Sequence, residues 1–174
     1  MSFLLDTNVV SEWTKPRPNS GVITWLEQAD EDRVFLSVAT LAELRHGIER
    51  LAAGARRKQL DGWLLDELPL RFETRILPVT TQIADEWGRV IAQCETRGRP
   101  LAAMDGLIAA TASVHELTLV TRNGRKAAVL VSAEEWERKT KRVGNLAEFF
   151  ARSPLRGSGL KVKRSKDKLR SPDL

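Results

Sequence analysis

The fold is indicated by a short stretch near the N-terminus, Phe3-Leu4-Leu5-Asp6-Thr7-Asn8. Three consecutive apolar residues predict a buried strand, and the polar residues after them mark its carboxyl end. Comparable apolar runs predict further strands at 34–38, 76–79 and 117–121. Helices are predicted between the strands, and this alternation is typical of a parallel sheet covered on both faces. Ligands of such sheets bind beyond the carboxyl ends of the strands.

The helices between these strands are predicted from apolar residues at helical spacing. They are expected at 20–30, 40–53, 56–68, 81–94 and 101–116. Thr40 and Glu43 have the spacing of a capping box, so Thr40 is predicted to cap the second of these helices.

The composition excludes several classes of protein. One cysteine and two histidines exclude a disulfide framework, a cysteine-rich zinc site and a multi-histidine metal site. No apolar run approaches the length of about 18 residues that suggests a membrane span. The N-terminal residues lack the basic segment of a signal peptide. We therefore expect a soluble, cytoplasmic protein without a membrane partner.

Three acidic residues occupy related positions in this pattern. Asp6 ends the first strand, Glu43 follows the second strand, and Asp105 lies early in the helix before the last strand. All three can converge at the carboxyl edge of the sheet. Carboxylates are hard oxygen ligands for Mg²⁺, and such an ion can activate a water and stabilise charge on a phosphate. Each acid alone has a plainer explanation, as a helix cap, a capping-box partner or a favourable charge near a helix N-terminus.

The three acids stand within an ordered set of four motifs. These are Phe3-Leu4-Leu5-Asp6-Thr7-Asn8-Val9-Val10-Ser11, Ser37-Val38-Ala39-Thr40-Leu41-Ala42-Glu43-Leu44-Arg45-His46-Gly47, Ala103-Met104-Asp105-Gly106-Leu107-Ile108-Ala109-Ala110-Thr111-Ala112 and Leu119-Val120-Thr121-Arg122-Asn123. Together the motifs resemble the PIN domain of the VapC- and FitB-like toxins of bacterial type II toxin–antitoxin systems. The resemblance covers residues 1–123.

The resemblance implies a three-layer α/β fold and a dimeric ribonuclease that depends on Mg²⁺ or Mn²⁺, with RNA as substrate and a cognate antitoxin as partner. It implies that the metal ligands are Asp6, Glu43 and Asp105. Asn8 and Thr121 would orient these ligands. Members of this family carry a further acid shortly after the fourth motif, whereas this chain continues with Gly124-Arg125-Lys126. Arg45 and Arg122 flank the motifs, and each is expected either to contact RNA phosphate or to pair with a nearby acid.

The charge changes sign near the end of the PIN-like part. Residues 1–123 hold 14 basic and 17 acidic side chains, whereas residues 124–174 hold 14 basic and 6 acidic side chains. Residues 124–174 resemble the C-terminal part of a Phd/YefM-type antitoxin, through the stretches 124–136, 146–150 and 153–158. The DNA-binding part of such antitoxins is missing, so operator binding is not expected. We predict a PIN-like nuclease domain over 1–123 that lacks its usual last segment, an antitoxin-like strand and helices over 124–156, and a basic, flexible tail over 157–174.

The antitoxin-like part is expected to form a β-hairpin-plus-helix appendage. Residues 127–131 would pair antiparallel with 117–121, and a short helix is predicted at 146–151. Trp136, Phe149 and Phe150 would anchor on the PIN helices, or alternatively pack only on their own hairpin. Antitoxin tails of this type place basic side chains at the acidic site of the toxin. The resemblance therefore implies that Arg156 is an inhibitory residue, since guanidinium groups bind carboxylates well.

These observations predict a toxin-type, metal-dependent endoribonuclease that hydrolyses RNA phosphodiesters and is restrained by its own antitoxin-like tail. The first alternative is a catalytically impaired toxin–antitoxin fusion that acts as a binding module and titrates toxin or antitoxin. The second is a nucleic-acid-binding regulator whose basic tail contacts phosphates.

Overall fold

The computed structural model describes residues 1–121 and 145–160. The strands are β1 (Phe3–Leu5), β2 (Val34–Ser37), β3 (Ile76–Leu77) and β4 (Thr118–Val120). The helices are α1 (Thr7–Val10), α2 (Ser20–Gln28), α3 (Val38–Glu49), α4 (Ala55–Gly62), α5 (Leu68–Phe72), α6 (Thr81–Thr96), α7 (Ala103–Val114) and α8 (Leu146–Arg152). A π-helical turn, Trp63–Glu67, joins α4 to α5. No helix in these two ranges is long and apolar enough to cross a membrane.

The four strands form one parallel sheet in the order β3-β2-β1-β4. Phe3 is in register with Val34 of β2 on one side and with Thr118 of β4 on the other. The first strand is therefore central and fully buried, as its three apolar residues require. The predicted α/β class, with a parallel sheet flanked by helices, is confirmed. All four predicted strands are present, β1 with the predicted bounds and the other three slightly shorter.

Alternate residues of β1 face two separate cores. Phe3 and Leu5 point into a large cluster that α2, α3, α4 and α5 cover. Leu4 points into a smaller cluster with Ala39, Ile108 and Ala112 on the opposite face. Because successive side chains of a strand point to opposite faces, the two clusters lie on either side of the sheet. Helix α7 covers the smaller cluster, and α6 packs on α7.

The start of α3 differs from the prediction. The helix begins at Val38, and the Ser37 hydroxyl accepts a hydrogen bond from the Ala39 amide at 3.2 Å. Thr40 is already inside the helix and buried, where its hydroxyl donates to the Leu5 carbonyl at 3.5 Å. The prediction that Thr40 caps this helix is therefore wrong, since Ser37 caps the helix and Thr40 ties it to β1.

Residues 145–160 pack against the large core. Helix α8 confirms the short helix predicted at 146–151, and Phe150 is fully buried with its ring centroid 6.3 Å from that of Phe72. After the helix, Leu155 is also fully buried, and Leu160 is 4% exposed. The packed part of the chain thus extends to Leu160, beyond the expected start of a flexible tail at 157. The predicted strand at 127–131, Trp136 and residues 161–174 lie outside the described residues.

Candidate active site

The topology places the three predicted acids at one edge of the sheet. Asp6 directly follows β1, and Glu43 lies in α3, which directly follows β2. Asp105 lies in the first turn of α7. Helix α7 leads back to the start of β4, so its own N-terminus stands at the opposite, carboxyl edge of the parallel strands. This is the edge at which open α/β sheets bind their ligands.

Asp6 is 2% exposed and connects β1 to the end of β4. Its amide donates to the Val120 carbonyl at 2.9 Å, and the Thr121 hydroxyl donates to its Oδ2. The Asn8 side-chain amide also approaches Oδ2, at 3.4 Å. Asp6 occupies the N-cap position of α1, yet its side chain makes no capping hydrogen bond. The plainer explanation of Asp6 as a helix cap is therefore wrong, and its carboxylate is held at the strand edge.

Glu43 is 8% exposed and is held by a residue that the sequence analysis did not single out. The hydroxyl of Thr7, a fully buried residue, donates to Glu43 Oε2 at 2.5 Å. The capping-box explanation of Glu43 fails together with the predicted cap at Thr40. The sequence did contain a signal for this role of Thr7. Its hydroxyl directly follows Asp6, which ends the strand, and stands at the first position of a helix.

The donors described above are neutral hydroxyl and amide groups. Such donors orient a carboxylate but leave its negative charge in place. Two buried carboxylates offer only oxygen atoms as ligands, so they fit a hard divalent cation better than a soft one. Within residues 1–121 and 145–160, no three His, Cys, Asp or Glu side chains are grouped closely enough to hold an ion as they stand.

Of the two arginines near the motifs, the structure describes Arg45. Arg45 pairs with Asp61 and lies 3.4 Å from Glu49, so of the two expectations for this residue the structure shows pairing with acids. Arg122 lies outside the described residues, as do residues 124–126. Arg156 is exposed, and its carbonyl accepts a hydrogen bond from the Arg56 guanidinium of α4.

Comparison with known proteins places this arrangement in a family. A PIN-domain family model matches residues 3–130. Toxin FitB of Neisseria gonorrhoeae is 41% identical over 120 residues, which are 69% of this chain and 86% of FitB. VapC ribonuclease Y4jK of Sinorhizobium fredii is 35% identical over 136 residues, which are 77% of this chain and 97% of that relative. The crystal structure of FitAcB from Neisseria gonorrhoeae superposes with a TM-score of 0.65 at 40% identity and covers 70% of this chain and 87% of that chain.

The family match spans the whole described sheet and all three acids. The chain therefore belongs to the PIN-domain family and is similar to its FitB and VapC toxins.

Proposed function

We propose that the chain is a toxin-type endoribonuclease that hydrolyses RNA phosphodiesters with the help of Mg²⁺ or Mn²⁺. One observation carries this proposal: Asp6 and Glu43 are buried at the carboxyl edge of the sheet, and neither side chain makes the capping contact that would otherwise explain it. The similarity to a relative named as a VapC ribonuclease, over 97% of its length, supports the same chemistry.

Asp6, Glu43 and Asp105 would hold the ion, which when bound supplies an activated water and stabilises charge on the phosphate. Thr121 and Asn8 fix the Asp6 carboxylate, and Thr7 fixes that of Glu43. These hydrogen bonds preorganise both carboxylates, so little rotamer freedom is lost on binding a cation. Burial removes water that would otherwise solvate the two charges, which strengthens their attraction for a cation.

We also propose that the C-terminal part restrains this site, as an antitoxin would. Leu160 packs against Gly47, which lies one helical turn beyond Glu43 on α3. The described part of the chain therefore ends at Leu160 against the helix that carries Glu43, and a basic stretch follows in the sequence. Arg156 and the basic residues of 161–170 are the cations proposed to compete with the metal for the carboxylates.

Cleavage of a mixed RNA pool with Mg²⁺ or Mn²⁺ tests both proposals. We would compare the full chain, a chain that ends at Leu160, Arg156→Gln and Asp6→Asn. The exposed Asp66→Asn on the π-helical turn is the matched control for loss of an acid. We expect Asp66→Asn to match the full chain and Asp6→Asn to be inactive. The shortened chain and Arg156→Gln should cut faster than the full chain.

The outcomes separate the proposals. Cleavage that persists in Asp6→Asn would exclude this site as the nuclease. Equal rates for the full chain, the shortened chain and Arg156→Gln would exclude the restraint but not the nuclease. If none of the proteins cuts, the alternative of a binding module that titrates toxin or antitoxin takes precedence.

A homodimer is part of the proposal. The smaller core cluster contains four buried residues and six apolar residues that are only partly buried. A second copy of the chain would cover these six side chains. Sedimentation equilibrium measures this directly, and a mass of 19.5 kDa at all concentrations would exclude the dimer.

A further inference from the structure

Residues 145–160, which we term the docked segment, meet the rest of the chain through side chains. The helical half inserts Leu146, Ala147 and Phe150 into the large core, and the half after the helix inserts Leu155 and Leu160. Phe149 lies under the Arg71 guanidinium, which is 5.5 Å from its ring centroid. Arg71 in turn contacts both carboxylate oxygens of Glu31 at 2.6 Å. The groove that receives the segment is therefore apolar at its base and carries the Arg71–Glu31 ion pair along one side.

The described hydrogen bonds of the segment lie largely within it. The Asn145 side chain caps α8 by accepting from the Glu148 amide at 2.9 Å. The Ser153 hydroxyl donates to the Phe150 carbonyl at 2.6 Å, and the Leu160 amide donates to the Ser158 hydroxyl at 3.1 Å. A contact to the domain is the bond from Arg56 to the Arg156 carbonyl. The segment thus folds on its own hydrogen bonds and is held by apolar anchors, as a bound peptide is.

The parallel sheet of the PIN domain forms without this segment. The family match ends at residue 130, and the parallel sheet is formed by residues up to 120. Residues 122–144 separate the sheet from the segment along the chain. An open cavity of about 590 Å³ remains beside it, between α4 and the stretch Arg152, Ser153 and Pro154. The walls of the groove are therefore formed by residues before the segment, and the segment fills it.

We propose that the docked segment is an intramolecular ligand that occupies this groove and so prevents other proteins from binding there. The partner excluded is one that presents the same chemistry, namely an amphipathic helix with a paired aromatic anchor followed by spaced leucines. Covalent linkage through the short stretch 122–144 gives an effective concentration on the order of 1 mM. A free segment with a Kd of about 1 µM would then bind the intact chain about 1,000-fold more weakly than it binds an empty groove. On the proposed function as a toxin, covalent attachment of the docked segment would make this chain refractory to an antitoxin that docks in the same groove.

A fluorescent peptide with the sequence of residues 145–160 tests the proposal in binding experiments that do not depend on RNA cleavage. The receptors are the full wild-type chain, the full chain with Phe150→Asp, and the full chain with Arg152→Asp. The last is the matched control, since Arg152 is on the same helix with its side chain 84% exposed. We expect the peptide to bind Phe150→Asp at least about 100-fold more tightly than wild type or Arg152→Asp.

Equal binding to wild type and Phe150→Asp would overturn the proposal, and so would no binding to a Phe150→Asp chain that circular dichroism shows to be folded. If Phe150→Asp does not fold, a protease site inserted within residues 122–144 of the otherwise intact chain replaces it. The peptide should then enter the cut chain and not the uncut chain. Entry into both chains would show that the attached segment does not close the groove, and entry into neither would show that it is an inseparable part of the core. Either result would overturn the proposal.

Discussion

Gly47 gives the sharpest test of where the docked segment lies. A Cβ atom at position 47 would lie 3.0 Å from Leu160 Cδ1 and 3.3 Å from Leu160 Cγ. Gly88 is also inside a long helix, α6, but a Cβ atom there would meet nothing within 4 Å. The two glycines therefore form a matched pair, in which the change to alanine has the same helix effect and a different packing effect.

The magnitudes follow from these distances. Replacing a glycine inside a helix by alanine stabilises the fold by about 1 kcal/mol, and this is the full effect expected for Gly88→Ala. At Gly47 the added methyl group must displace Leu160, and overpacking of this kind costs about 1–3 kcal/mol. We therefore expect Gly47→Ala to change the free energy of unfolding by between about zero and a loss of 2 kcal/mol.

A double-mutant cycle with Leu160→Ala isolates the contact. Leu160 is almost fully buried, so Leu160→Ala alone should destabilise by about 2–5 kcal/mol. It also removes all three atoms that the new methyl group would meet. In that background Gly47→Ala should become stabilising by about 1 kcal/mol, which gives a coupling of about 1–3 kcal/mol.

Urea unfolding followed by tryptophan fluorescence measures all of these variants, since the chain has five tryptophans. The reasoning would be refuted if Gly47→Ala stabilised the chain as much as Gly88→Ala in both backgrounds. That result would mean that Leu160 does not lie on α3 and that the docked segment takes another course.

Three further predictions concern the site and the packing around it. Thr7→Val should weaken Mn²⁺ binding about 10–100-fold in calorimetry, because valine lacks the hydroxyl that donates to Glu43. Thr7→Ser keeps a hydroxyl and should retain the affinity. Equal affinities for the two variants would contradict this role. Gly106→Ala would place a methyl group 2.8 Å from Ile91 Cδ1 and force α6 away from α7. With the helix gain of about 1 kcal/mol set against an overpacking cost of about 1–3 kcal/mol, the variant should lose up to about 2 kcal/mol in thermal unfolding. A stabilisation equal to that of Gly88→Ala would count against the close helix packing. Phe150→Ala should destabilise by about 3–5 kcal/mol in urea, because its ring is fully buried in the large core, and a loss below about 1 kcal/mol would show that α8 contributes little.

The sheet could be predicted from the sequence because each strand is a short apolar run that ends in polar residues. The same local reasoning failed where two residues could perform one role. Ser37 and Thr40 are both good helix caps by residue type. In the structure Ser37 is the cap, and Thr40 lies inside the helix with its hydroxyl 3.5 Å from the carbonyl of Leu5, which is remote in sequence. The helix predicted at 56–68 continues to Phe72 through a π-helical turn ahead of Pro69, a residue that usually marks a helix boundary.

The candidate site was predictable to a similar extent. Asp6 and Glu43 were found because strand ends and following helices fix their positions along the chain. Thr7 was missed because a threonine after an aspartate is common at helix starts, and its partner Glu43 lies 36 residues away. The packing of Phe150, Leu155 and Leu160 into the large core was also beyond local patterns, because it depends on contacts with α2 and α3 that are distant in sequence.

The central position of β1 also determines when the site can form during synthesis on the ribosome. β1 is among the first elements to be translated, yet its neighbour β4 and the Asp6 partner Thr121 are translated more than a hundred residues later. The acidic edge therefore cannot be assembled until most of the chain exists. Leu160 follows about 40 residues after that point, which takes about 2–8 s at common elongation rates. Each new molecule would thus pass only seconds between completing its acidic edge and receiving its own docked segment.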